Sequence, residues 1–251
     1  MEFKFKNYLL FFSINLLFPF VAIAQNSSMS FGFVVKPIFS SSYFRTGPQS
    51  QEVKDISGNN YRYRLAQSSG FIAGGLLRKS FTKNIALESG IQFVKRIYNL
   101  DITSDSSSFS GSSDFKIIGY EFPIQALVFV QLSREIWMNA ALGTSIDMFP
   151  SDIETRGSYF KNKTFRLSSL TVFNAGVVAN IGVEYRTEKS GIIYIGSSYH
   201  RSFKDTYRSV IGYYQDIKAS PKSTTSFNLK GDYLTVDLRY YFANDTKKKK
   251  K

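Results

Sequence analysis

The sequence has no cysteine and a single histidine. Without thiols it has no disulfide framework, no thiolate metal site and no cysteine for a lipoprotein anchor. One histidine, with no Asp/Glu cluster at ligand spacing, gives no metal-site expectation. Beyond the first two dozen residues the chain also lacks any apolar run near the roughly 20 residues that a helical span requires. A membrane protein without such a run must be a closed barrel, because only helices and barrels satisfy their backbone groups in lipid. An exported chain without disulfides must be held by its sheet ladder.

The N-terminus has the parts of a secretory signal peptide. Lys4 and Lys6 form a basic start, Tyr8 to Phe20 an apolar core, and Ala22-Ile23-Ala24 a small-x-small cleavage site before Gln25. Residues 1–24 are therefore expected to be removed on export. The formal net charge of +13 is less telling than it looks, because five of the positive charges are the terminal Lys247–Lys251. The segment 243–251 reads as a solvated, disordered tail. Nucleic acid is not an expected partner of an exported chain, whereas positive loops suit an anionic outer leaflet.

What is present is a rhythm. Eight alternating segments run from Met29 to Phe242. Three connections are tight, at Ser80–Asn84, Ser133–Glu135 and Thr187–Gly191. Four are long and polar, at Arg45–Ser68, Asn99–Phe115, Phe149–Leu167 and Asp205–Phe227. Strict alternation of long and short connections predicts an all-β fold over 25–242: an eight-stranded antiparallel transmembrane β-barrel with four long outer loops and three short periplasmic turns. Ten strands, taking two from the last loop, is the alternative count.

Side-chain parity supports this, because strand residues alternate between faces. Phe173, Ala175, Val177, Ala179, Ile181, Val183 and Tyr185 share one face, against Asn174, Gly176, Asn180, Gly182 and Glu184 on the other. Ile118, Tyr120, Phe122, Ile124, Ala126, Val128 and Val130 oppose Gly119, Glu121, Gln125 and Gln131. The segments at 85–96, 138–148 and 234–242 alternate in the same way, whereas 71–78 is ambiguous and 192–203 weak. Aromatics near segment ends suggest interfacial girdles. These are Phe31, Phe39, Tyr43, Tyr98, Tyr120, Tyr185, Tyr194, Tyr199, Tyr233, Tyr240 and Phe242, with Trp137 on the inner side. A soluble lipocalin-like barrel would turn its apolar face inward. Charges at the middle of the polar face, such as Glu88, Glu121, Glu184, Asp237 and Arg239, fit a packed polar interior better than a solvated exterior.

Three stretches carry a family likeness: Phe31-Gly32-Phe33 with Lys36-Pro37, Tyr120-Glu121-Phe122-Pro123-Ile124, and Tyr233 through Phe242. With them the chain resembles the PorT-like outer-membrane β-barrel family of Bacteroidota. The resemblance implies residence in the outer membrane, insertion by the barrel-assembly machinery through the aromatic-ended last strand, and a link to protein secretion. The tail after Phe242 departs from barrels that end on the aromatic residue.

An eight-stranded lumen is just filled by side chains. The expected interior is a network of Glu88, Glu121, Asp147, Glu184 and Asp237 with Lys36, Arg78, Arg96 and Arg239, paired into a structural plug. One enzyme-like signal is His200-Arg201-Ser202, whose spacing puts a base and a nucleophile on one strand face. It is similar to the motif of outer-membrane lipid A deacylases, but Phe203 stands where that motif has Asn, and parity turns His200 toward the lumen. The stretch Ser104–Ser113 reads as a mobile low-complexity loop. The last loop, with Tyr207, Arg208, Tyr213, Tyr214 and Lys218, reads either as a binding loop or as a hairpin extension through Val210–Tyr214. The expectation is a non-enzymatic protein with no catalytic, cofactor or metal residues. Its role would be structural or interactive, in secretion or surface binding. A narrow-pore, porin-like transporter is the alternative, and a deacylase-like enzyme a weaker one.

Overall fold

The computed structural model describes residues 28–40, 47–104, 109–157, 159–166, 173–187 and 189–243. The expected signal peptide, Tyr43 and all of the tail beyond Ala243 lie outside them. The described residues hold thirteen strands and no helix. They are β1 (Ser28–Phe39), β2 (Gln49–Lys54), β3 (Asn60–Ser80), β4 (Ile85–Ser104), β5 (Phe109–Gln131), β6 (Ile136–Met148) and β7 (Ile153–Arg156). They continue with β8 (Phe160–Arg166), β9 (Phe173–Thr187), β10 (Gly191–Ser202), β11 (Asp205–Tyr213), β12 (Ser223–Lys230) and β13 (Tyr233–Tyr241). Antiparallel pairing runs β1-β13-β10-β9-β6-β5-β4-β3, and β3 pairs again with β1. The ladder thus closes through eight strands of unequal length.

The three tight connections fall where the sequence puts them and lie at one end of the ring. At the third, Gly191 has φ +85°, a conformation that L side chains rarely adopt. A Cβ there would stand 2.1 Å from the carbonyl oxygen of Tyr241 on the neighbouring strand. The described ends of the ring strands sit at this same end, since Ser28 is opposite Ser80 and Ile192 opposite Tyr241.

The long strands β3, β4 and β5 change character partway along. In the half near the tight turns, apolar side chains point out and polar ones in. On β5, Ile118, Tyr120, Ile124, Val128 and Val130 are exposed while Glu121 and Gln125 are buried. In the other half the pattern reverses. Phe115 and Ile117 are buried, and Ser110, Ser112, Asp114 and Lys116 are exposed. The same reversal separates buried Tyr98, Leu100 and Ile102 from buried Glu88, Gln92 and Arg96 on β4. On β3 it coincides with a register shift between Gln67 and Gly70. Parity is unbroken through the β4 and β5 reversals, so the surroundings of the strand change, not its twist.

Beyond the reversal stands a second layer. Strands β12-β11-β8-β7 form a separate four-stranded sheet. Its apolar face packs on the outer halves of β3, β4 and β5. Tyr63, Leu65, Leu100 and Ile102 join Phe160, Tyr207, Ile211, Phe227 and Leu229 in one buried core. This β-sandwich head corrects the expectation of long polar loops. Most of the supposed mobile stretch Ser104–Ser113 is strand as well: Ser104 ends β4, Phe109 to Ser113 lie in β5, and only 105–108 fall outside the described residues. The expected hairpin exists as β11 and β12, but it pairs with β8 rather than prolonging β10 and β13. It takes no place in the ring, which answers the ten-strand alternative.

Two further expectations fail on side-chain direction. Tyr98, Tyr194 and Tyr233 are 4%, 0% and 3% exposed, so they face inward and form no outer girdle. Trp137 packs against the buried cluster of Ala86, Leu127, Phe129 and Ala141. Arg186 lies 4.4 Å above its ring, so Trp137 helps to close the turn end of the interior. Phe31, Phe39, Tyr120, Tyr185 and Phe242 do point outward.

Candidate functional site

The interior holds two clusters. The one nearer the tight turns contains most of the expected network. Arg78 reaches Glu88 at 2.9 Å and Glu184 at 2.7 Å. Arg239 reaches Glu88 at 2.6 Å and Asp237 at 2.6 Å, and Lys36 lies 3.7 Å from Asp237. Neutral donors complete the shell. The Tyr241 hydroxyl donates to Glu88 at 2.5 Å, Asn139 to Glu184 at 2.9 Å, and Ser198 to Asp237 at 2.5 Å. The two guanidinium groups also lie over rings, Arg78 at 3.9 Å from the centroid of Tyr241 and Arg239 at 4.6 Å from that of Tyr194. Buried charges are tolerated only when paired and hydrogen-bonded, and here each carboxylate receives several donors. The arrangement is one connected network of buried, paired charges. Its three carboxylates, Glu88, Glu184 and Asp237, are all engaged by these donors.

The second cluster lies toward the head and is built differently. Glu121 on β5 and Asp147 on β6 are directly opposite partners in the ladder. Like charges so placed repel unless something compensates them. His200 of β10 joins them, and ligand atoms of the three lie within 4.8 Å of one another, all buried. The ring of His200 reaches β6 by passing over Gly176 of the intervening β9. A Cβ at Gly176 would be 2.8 Å from His200 Nε2, so the glycine is what permits the crossing. His200 stacks flat on Tyr233, with centroids 4.6 Å apart and planes 5° apart. The Tyr233 hydroxyl donates to Glu121 Oε2. Arg96 lines the same cavity, with its guanidinium toward the Phe149 ring and Nη1 3.4 Å from the Lys230 carbonyl oxygen. Arg96, Glu121 and Asp147 are therefore apart from the main network that the sequence assigned them to.

The His200–Ser202 pairing suggested by the sequence is not formed. Both residues face inward, as parity requires, but His200 Nε2 contacts Ser145 Oγ at 2.8 Å. The Ser202 backbone N–H instead donates to Asp232 Oδ1 at 3.0 Å. No sequence signal marked the grouping of Glu121, Asp147 and His200, because they come from three strands and one glycine decides their meeting.

In the head, Tyr207 and Tyr213 are buried, so the last loop presents Arg208 and Lys218 to solvent without them. Tyr207 donates to the Ser151 carbonyl oxygen at 3.0 Å and meets Phe149 edge-on. Burial pushes its hydroxyl up to about 12, and burial also raises that of Tyr63. Among the described residues no helix is long and apolar enough to cross a membrane.

No protein-family model and no curated protein matches the chain. Among solved structures it is similar to the outer membrane protein OprG from Pseudomonas aeruginosa, with 11% identity over 87% of this chain and 96% of that one and a TM-score of 0.51. A second likeness is to the beta domain of the Bordetella autotransporter BrkA, at 9% identity and a TM-score of 0.33 over 88% of this chain and all of that one. The likeness to OprG is one of fold: an antiparallel β-barrel of the outer-membrane type.

Proposed function

We propose that the chain is an eight-stranded outer-membrane β-barrel with a closed lumen, non-enzymatic, whose head outside the membrane engages a partner. The observation that carries this reading is the reversal of polarity along β3, β4 and β5. A strand that exposes isoleucine and valine while burying glutamate is matched to lipid outside and polar packing inside. The same strand exposing serine and lysine while burying phenylalanine is matched to water. The apolar stretch Ile118–Val130 covers roughly 40 Å of strand, or about 28 Å of height at a tilt of about 45°, close to a bilayer core. The tight turns and both described chain ends then belong to the periplasmic side. The OprG-like fold supports the placement, and the PorT-like resemblance supports a role near protein secretion.

The paired lumen argues against a pore, and burial of His200 and Ser202 argues against a lipid-modifying enzyme. Purified protein in planar bilayers is expected to show no stable large currents. Lipid A mass spectra are expected to be unchanged by its presence. Stable single-channel steps would instead support a narrow-pore transporter. Extraction from outer membranes in gentle detergent, read by native mass, is expected to recover a stoichiometric partner that is lost when the β11–β12 hairpin is shortened.

A further inference from the structure

We infer that Glu121, Asp147 and His200 form a binding site for one divalent transition-metal ion such as Zn2+, held in the barrel interior beneath the head. His200 Nδ1 lies 3.0 Å from the carbonyl oxygen of Gly231, which can only accept, so Nδ1 carries the proton. In the neutral ring Nε2 is then a lone pair. It faces Asp147 Oδ2 at 3.1 Å, an oxygen that meets no donor in hydrogen-bonding geometry. The Ser145 hydroxyl can donate to Nε2 but brings no charge to the carboxylate. Lone pair against carboxylate is repulsive unless a positive charge lies between them. A ring nitrogen whose partner N–H is anchored on a backbone carbonyl is the arrangement that metal-binding histidines use.

The carboxylates point the same way. Glu121 is 1% and Asp147 4% exposed, and Glu121 Oε1 and Asp147 Oδ1 have no hydrogen-bond partner. Both residues, with His200 and Arg96, line a cavity of about 10 Å³, the room of one water or one ion. With His200 neutral, the single positive charge of Arg96 faces two carboxylates there. A proton on Nε2 would satisfy Asp147 Oδ2 alone and leave the other two oxygens unpartnered. A cation ligated by Nε2 and one oxygen from each carboxylate compensates all of them together. One imidazole and two carboxylates is a donor set suited to Zn2+, Mn2+, Fe2+ or Ni2+. Tyr233 then acts as support, holding Glu121 by its hydroxyl and His200 by its ring.

The test uses the full mature chain in detergent micelles, without a histidine tag, stripped with chelator and dialysed against Zn2+. One ion per chain is expected, with affinity falling at least about tenfold in His200→Ala, Glu121→Gln and Asp147→Asn. A chain that binds no stoichiometric Zn2+, Mn2+ or Ni2+, or whose variants bind as tightly as the parent, overturns the site. Folding of the variants is checked by heat-modifiable migration in gels. A second measurement needs no variant. As the chain has a single histidine, 15N-histidine labelling reports His200 alone. Zn2+ is expected to shift Nε2 while Nδ1 keeps its proton. A ring that stays an imidazolium and ignores added Zn2+ shows a buried His200–Asp147 ion pair in place of the metal site.

Discussion

The Arg78 guanidinium stands 2.7 Å from a Glu184 carboxylate oxygen, across the interior and 106 positions away in the chain. Arg78 also holds Glu88, which in turn holds Arg239, so four charged side chains from β3, β4, β9 and β13 form one connected unit. Removing one member leaves the others buried without their partner. Glu88→Gln is expected to destabilise the barrel by about 3–5 kcal/mol, the usual cost of breaking a buried pair. Urea unfolding in micelles checks this, and a loss below about 1 kcal/mol would mean that the interior is hydrated and the plug is loose.

The outer face makes a different prediction. Leu142 is 62% exposed at the middle of β6. If lipid covers it, Leu142→Arg costs about 2–4 kcal/mol in bilayers. Arginine at Ser112, on the outward face of β5 beyond the reversal, is expected to cost nothing measurable. Equal tolerance at both positions would place both in water.

The head core joins the second sheet to the outer halves of β3, β4 and β5. Phe227 is 1% exposed within it. Phe227→Ala is expected to cost about 3–5 kcal/mol of head packing. Hydrogen exchange should show faster exchange in β8, β11 and β12 and unchanged protection in β6 and β9. Loss of protection throughout would show that head and barrel unfold as one.

Alkali should weaken the head. Burial raises the Tyr207 hydroxyl from 10.0 to about 12. A folded-state value above the unfolded one gives stability that is complete below pH 10 and declines as pH rises toward 12. Near-ultraviolet circular dichroism is expected to lose head signal across that window, and Tyr207→Phe to remove part of the pH dependence. A head signal flat from pH 9 to 12 contradicts this.

Much of this was legible in the sequence, for a physical reason. Strand parity is local, so the alternation of Phe173 to Tyr185 and of Ile118 to Val130 revealed both faces of β9 and β5 without knowledge of their neighbours. The pairing of Arg78, Glu88, Glu184, Asp237 and Arg239 followed from the same alternation, since charges sharing an inward face within a narrow ring must pair. The head was missed because its core residues, such as Tyr63, Leu100 and Phe227, lie among serines, lysines and arginines that read as loop. Their apolar face appears only when two distant sheets stack. Tyr194 and Tyr233 were misplaced because tyrosine suits an interface and a polar interior equally well. The Glu121–Asp147–His200 grouping depends on His200 passing over Gly176, a contact between strands that no spacing records.

The barrel reading stands on the reversal of polarity along one continuous strand at the membrane surface. A chain without cysteine allows a clean scan of β5, with single cysteines from Ser110 to Val130 carrying spin labels in reconstituted bilayers. Labels at even positions 118 to 130 are expected to collide with oxygen in lipid, and those at 110 to 116 with an aqueous nickel reagent. If the nickel reagent reaches positions 118 to 130 as well, the apolar face is not in lipid and the outer-membrane barrel reading fails.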